Sequence, residues 1–418
     1  MKTIEKKYML PFVLITSLFF LWGVANNMTD TLLSAFKRIM SMSDTQTSFI
    51  QMAFYGAYFC VALPAAFFIR KHSFKSGVIL GLSFYILGAM LFFPAAKAES
   101  YGFYLVAIYV LAAGCSILET TANPYILSMG DSSTATRRLN VAQAFNPIGS
   151  ITGILLSQTF ILGNISLYSI SATYMGLGFA LLVVLIAILF AKMPEGKYAI
   201  DGEEQHVGHA LRRLAGNKKY IFGVVAQFFY VGAQIGVWSF TIRIVMSELG
   251  ILEKQAATIY LFSIIGFCLS RFVYTWLMKF FKPYKLLIFG SIMSIVSTLT
   301  VVLSEGSGVV LIVALILISC FMSLMFPTIY GIALTGIEDK SVGGMQGDAK
   351  LGAGGLVMAI LGGALLTPLQ GLVSDNFGIN ASYVVPMICF VVVLAFAAFV
   401  AVNNKTMVKN LNGNEEVL

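Results

Sequence analysis

Residues 102–129 read GFYLVAIYVLAAGCSILETTANPYILSM, an apolar run that carries Glu119, Asn123 and Pro124 in its second half. At ~1.5 Å of rise per residue, this run exceeds the ~30 Å of hydrocarbon that a membrane helix must cross. A carboxylate and an amide are expensive inside such a helix, and they usually face a cavity or a partner helix. Similar runs recur along the chain, at about 8–35, 46–69, 76–95, 138–161, 167–191, 219–247, 255–278, 284–303, 308–336, 349–373 and 381–402. The sequence therefore predicts an all-α membrane protein of twelve transmembrane helices.

Composition agrees. The 418 residues are 58% hydrophobic and 11% charged, whereas soluble domains hold about 25% charged residues. The net charge of +8 is read as basic inner loops rather than as a nucleic-acid surface, because cytoplasmic loops of membrane proteins collect Lys and Arg. With the N-terminus inside, the outer loops keep Lys37, Arg38, Lys97 and Lys254, while inner loops hold most of the other basic residues, among them Arg70, Lys71, Lys75, Arg137, Arg138, Arg212 and Arg213. Both termini are expected in the cytoplasm of a bacterial inner membrane. The basic N-terminus lacks a small-residue cleavage site after its apolar run and is expected to stay as the first span. The five cysteines (Cys60, Cys115, Cys268, Cys320, Cys389) lie in apolar runs and are read as core residues rather than disulfides.

One long polar connector divides the spans six and six. The expected organisation is a first half over 1–191, a cytoplasmic linker over 192–218 and a second half over 219–418. The halves echo each other. IRKHSFKSGVILG follows span 2 and LMKFFKPYKLLIFG follows span 8, while NPYI in span 4 matches FPTIYGI in span 10. A parallel repeat of six-helix halves is the pseudo-symmetric build of the major facilitator superfamily.

Two acidic residues fall well within spans, Asp30 and Glu119. Asp30 is nearer the outer end of span 1, close enough to Lys37 that an interfacial position is an alternative. Glu119 lies ~26 Å along span 4, and Gln143 and Asn146 lie ~8–12 Å into span 5 from its cytoplasmic end, so the three reach a similar depth. Glu119 and Asn123 share a helix face at i,i+4, as Gln143 and Asn146 do at i,i+3. Asn26 adds an amide on the Asp30 face of span 1. In span 7, Gln227, Tyr230, Gln234 and Trp238 form one stripe of amides and aromatics. Such a stripe suits a sugar, whose hydroxyls need partners and whose C–H face stacks on a ring; interhelical hydrogen bonding is the alternative. Pro124, Pro147, Pro327 and Pro368 interrupt spans 4, 5, 10 and 11, through close packing or bending. His72, His206 and His209 fall in loops, and the chain holds no HExxH, Cys/His cluster, Walker loop or GxSxG motif. Neither a metal nor a cofactor is expected, and no enzymatic chemistry.

Six stretches in order, FLWGVANNMTDTLL, FIQMAFYGAYF, LETTANPYI, RLNVAQAFNPIG, QFFYVGAQIGVWSFTIR and TPLQGLVSDNFG, resemble the fucose–galactose–glucose/proton symporter family, with its L-fucose branch the nearer. The resemblance implies proton-coupled uptake of a monosaccharide by alternating access. It places the two membrane acids on Asp30 and Glu119 and the span-5 sugar amides on Gln143 and Asn146. The expected partners are a neutral monosaccharide, protons and the lipid bilayer, with the protein a monomer. Glucose or galactose is the alternative substrate; a membrane sugar sensor and an exporter are the rival functions.

Overall fold

The computed structural model describes residues 6–41, 44–161, 166–194, 207–304, 307–335 and 346–415, together with Ile4 and Ile337. Side chains at 29–35, 37–38, 44–48, 158, 207, 253–254, 346–347 and 404–415 lie outside that description. The described chain is all-helical: α1 (Met9–Ile39), α2 (Asp44–Lys71), α3 (Phe74–Lys97), α4 (Tyr101–Ser128), α5 (Ala135–Gln143), α6 (Asn146–Leu156), α7 (Leu167–Phe190) and α8 (Val207–Gly216). There follow α9 (Lys218–Leu249), α10 (Glu253–Leu277), α11 (Pro283–Leu303), α12 (Gly308–Met322), α13 (Met325–Leu334), α14 (Gln346–Met358), α15 (Gly362–Phe377) and α16 (Val384–Glu415).

Among the described residues, 11 helical segments are long and apolar enough to cross a membrane. The fifth expected span completes the twelve in pieces, as α5, α6 and a π turn at Ser157–Ile161. The break falls at Ala144–Phe145, just before Asn146 and Pro147. Proline has no N–H and its ring crowds the preceding turn, so one helix ends and Pro147 instead opens the next. The tenth span likewise divides into α12 and α13 ahead of Pro327, and the eleventh into α14 and α15 around a 3-10 turn at Ala359–Leu361.

Helix ends are closed by side chains, as the unpaired terminal N–H and C=O groups require. Ser73, Ser100, Ser166 and Asn217 cap the starts of α3, α4, α7 and α9. Gly250 ends α9 at φ 61°, a left-handed position that glycine takes without strain. Lys75 Nζ donates to the carbonyls of Leu189 and Ala191, both at 2.9 Å, at the end of α7. Arg138, read from sequence as a loop cation, is fully buried. Its guanidinium donates to the Ile126 carbonyl at 3.0 Å and to Leu127 at 2.5 Å, closing the end of α4.

The helices form two compact units: residues 1–216 with 334–364, and residues 217–333 with 365–418. Residues 334–364 join the first unit because α14 packs on α2 and α4. Gly354 sits so close to Ala62 and Ala66 of α2 that a Cβ would press on them. Asp348 of α14 accepts from Arg213 of α8 at 2.7 and 2.9 Å, and Lys350 Nζ lies 4.5 Å from the Phe74 ring centroid.

Within the first unit, α1 and α6 touch backbone to backbone. A Cβ at Gly23 would collide with the Asn146 carbonyl, and one at Gly149 with the Phe20 carbonyl. Small residues permit this approach, which is how helices associate where lipid removes the hydrophobic drive.

Candidate functional site

The first unit gathers buried polar side chains from α1, α2, α4 and the α5–α6 break. Glu119 is 9% exposed, Gln143 5% and Asn123 0%. Gln143 Nε2 donates to Asn123 Oδ1 at 2.8 Å, joining the fourth span to the fifth. The Asn123 side chain also pairs with the Glu119 carboxyl, one helical turn away. The arrangement thus links a buried carboxyl and two side-chain amides in one polar cluster, as a site for a hydroxyl-bearing ligand would.

Aromatic groups surround this cluster. Tyr58 and Cys115 lie within electrostatic range of Glu119. Trp22 Nε1 donates to the Tyr58 hydroxyl at 2.9 Å, Ser116 Oγ donates to the Tyr58 carbonyl at 3.3 Å, and the Tyr85 hydroxyl donates to the Leu21 carbonyl at 3.1 Å. Phe19 and Trp22 stack at 5.4 Å between centroids. These bonds fix α1, α2, α3 and α4 around the carboxyl.

Asn146 is half-buried and donates through Nδ2 to the Phe19 carbonyl at 3.1 Å. Its Oδ1 is the atom left to meet a ligand. Asn26 is half-buried, with its Oδ1 buried and without a hydrogen-bond partner. Asp30 belongs to α1, but its side chain lies outside the described residues.

The second unit holds the span-7 stripe on α9. Gln227 is 0% exposed and neither its Nε2 nor its Oε1 has a hydrogen-bond partner. Gln234 is half-buried. Tyr230 is buried and Trp238 half-buried, and both hydrogen-bond to the tenth span. The Tyr230 hydroxyl donates to the Met322 carbonyl at 3.2 Å, and Trp238 Nε1 donates to Ser319 Oγ at 3.4 Å. The four residues of the stripe thus differ in partners: no hydrogen bond reaches the buried Gln227 amide, while each aromatic donates once to the tenth span.

Sequence reasoning passed over Trp22, Tyr58 and Arg271. Trp22 and Tyr58 stand in stretches quoted for their resemblance, one turn or more from the polar residues that drew attention. Arg271 is a single cation inside the apolar run 255–278, whose hydropathy it scarcely lowers. It is 3% exposed, donates through Nε to the Ser323 carbonyl at 2.6 Å, and lies 4.6 Å over the Phe267 ring. Among the described residues, no group of three or more His, Cys, Asp or Glu is placed to hold a metal ion.

Comparison with known proteins bears on this geometry. The Major Facilitator Superfamily pattern matches residues 13–356. The chain is 42% identical to an L-fucose-proton symporter of Haemophilus influenzae, over 94% of this chain and 97% of that one. A glucose/galactose transporter of Brucella abortus is 31% identical over 94% of each chain. Among solved structures, a Major Facilitator Superfamily transporter, FucP, in the outward conformation matches with a TM-score of 0.85 at 35% identity, over 94% of this chain and 99% of that one.

Proposed function

The chain belongs to the Major Facilitator Superfamily, in the branch of the fucose–galactose–glucose/proton symporters, and from that membership we propose a proton-coupled symporter that imports a neutral monosaccharide, L-fucose first. The observation that carries this reading is the buried, connected trio Glu119, Asn123 and Gln143, a carboxyl joined to two side-chain amides inside a membrane span. Such groups can exchange their mutual bonds for bonds to sugar hydroxyls. A carboxyl that is neutral with its proton and charged without it favours different conformers in its two forms, and this links proton movement to sugar movement. No covalent step is involved.

In this reading Glu119, Asn123, Gln143 and Asn146 hold the sugar, with Asn26 on the neighbouring helix. Asp30, nearer the outer mouth, takes up the proton during loading, and Glu119 answers to both ligands. Gln227, Tyr230, Gln234 and Trp238 of α9 are the further sugar-binding residues of this reading. Both termini and the linker face the cytoplasm of a bacterial inner membrane, and the protein works as a monomer.

The sugar is assigned to L-fucose over glucose or galactose because the identity is 42% to the L-fucose-proton symporter and 31% to the glucose/galactose transporter. A competition panel of sugars in right-side-out vesicles, with an imposed inward proton gradient, tests the assignment. L-Fucose should compete best, and a protonophore should abolish accumulation. Uptake that follows sodium and ignores the protonophore would sink the proton reading; preference for glucose would move the chain to the alternative substrate.

A further inference from the structure

The tenth span breaks at Ser323–Leu324, and the break has a covalent cause. Pro327 has no amide hydrogen, so the carbonyl four residues earlier, that of Ser323, loses the donor that an unbroken helix would give it. Hydrocarbon offers no water in exchange, and a freed carbonyl must be answered by a neighbouring helix. That answer comes from α10, where Arg271 Nε donates to the Ser323 carbonyl at 2.6 Å. The adjacent Met322 carbonyl receives the Tyr230 hydroxyl of α9 at 3.2 Å.

Arg271 is itself held in place. It lies 4.6 Å over the Phe267 ring, and Phe267 meets Trp238 edge to face at 5.0 Å. Trp238 in turn donates to Ser319 Oγ of α12, at 3.4 Å. Proline alone does not demand such an assembly, since α4 runs unbroken through Pro124. A charged group in this setting is expensive, whereas a neutral amide could answer one carbonyl. A guanidinium differs in offering five N–H groups in a rigid plane. Neighbouring carbonyls can exchange donors as the helix changes its angle, without any being left unanswered.

We propose that Arg271 is a positioning residue for transport, which holds the tenth span in its bent form at Pro327 and lets that bend change during the cycle. The proposal rests on the transport reading above for its consequence, and on the pairing with Ser323 for its structure.

The test uses the full chain with Arg271→Gln, Arg271→Lys, Arg271→Met, Pro327→Ala and the Arg271→Met/Pro327→Ala pair. In proteoliposomes, Arg271→Gln should lower the maximal rate of L-fucose counterflow about tenfold or more while the sugar Kd stays within about twofold, the signature of a lost conformational step rather than a lost sugar contact. Arg271→Lys, which keeps a charged donor, should recover much of that rate. Thermal unfolding in detergent reads the pairing without any sugar. Pro327→Ala restores an amide donor to the Ser323 carbonyl, so Arg271→Met, which removes the donor, should lower the Tm clearly when Pro327 is present and little in the Pro327→Ala background. Equal losses in both backgrounds would overturn the pairing. A rise in Kd that matches the fall in rate would make Arg271 a sugar contact and overturn the positioning role. If the unaltered chain moved no sugar, the transport reading would fail, and the unfolding cycle would still decide whether Arg271 answers the Pro327 break.

Discussion

Glu119 and Arg271 are opposite charges, each buried in its own unit, and their surroundings treat them differently. Around Glu119 the neighbours are side-chain amides: Asn123 pairs with the carboxyl and accepts from Gln143. Around Arg271 the donors are committed to backbone: Arg271 itself to Ser323, and Tyr230 to Met322. The two halves of a repeat thus carry similar scaffolds with different chemistry. One offers bonding capacity to something that comes and goes, and the other uses its side chains to support a break in its own helix. Buried polar residues in a membrane protein are therefore best sorted by whether their partners are already present.

The largest expected effect concerns coupling, through Asp30 of the first unit. Asp30→Asn, a fixed copy of the protonated state, should abolish accumulation against a gradient while sugar counterflow persists, as measured with labelled L-fucose in vesicles. Normal proton-driven accumulation by this variant would leave Glu119 to carry the proton alone.

Next in size is Gln143→Ala, which strips Asn123 Oδ1 of its donor and removes one from the sugar. Losing such a bond costs about 1–3 kcal/mol, or roughly 5- to 150-fold in Kd by calorimetry. An unchanged Kd would show that the first unit's amides serve packing rather than sugar binding.

Tyr230→Phe sharpens the contrast from the other side. It leaves the Met322 carbonyl without its donor, and should lower stability by about 1–3 kcal/mol while the sugar Kd moves less than about twofold. A tenfold weaker Kd would move the Tyr230 hydroxyl to the sugar contacts. Gly250→Ala gives the smallest effect and a baseline for both units: the strain of a left-handed alanine, about 1 kcal/mol, should appear in Tm with affinity and coupling unchanged.

Much of the fold was legible because spanning a bilayer is a demand on length and polarity, which a sequence displays directly. The fourth span was expected over 102–129 and α4 covers Tyr101–Ser128. The fifth span was not legible as pieces. Hydropathy over 138–161 is continuous through Asn146–Pro147, and whether a proline bends a helix or ends it depends on what neighbouring helices offer its freed carbonyls. Nor does chain order reveal that α14 packs on α2, since that rests on the close fit of Gly354 against Ala62 and Ala66. Within the site, the i,i+4 spacing brought Glu119 and Asn123 onto one face without any structure. The partners of Tyr230 and Trp238 were hidden, because a periodic stripe gives direction around a helix but not the identity of the group it meets. Arg271 was obscured for a simpler reason: one charge among many apolar residues barely changes a window average.

The crossing of α1 and α6 has a mechanical consequence. Gly23 and Gly149 leave no side-chain cushion between the two backbones, so the pair behaves as a single stiff lever rather than two rods with play between them. Asn146 rides on one arm, Asn26 and Asp30 on the other. A tilt imposed on either arm reaches the other without slack, and the helix bearing Asp30 moves in step with the helix bearing Asn146.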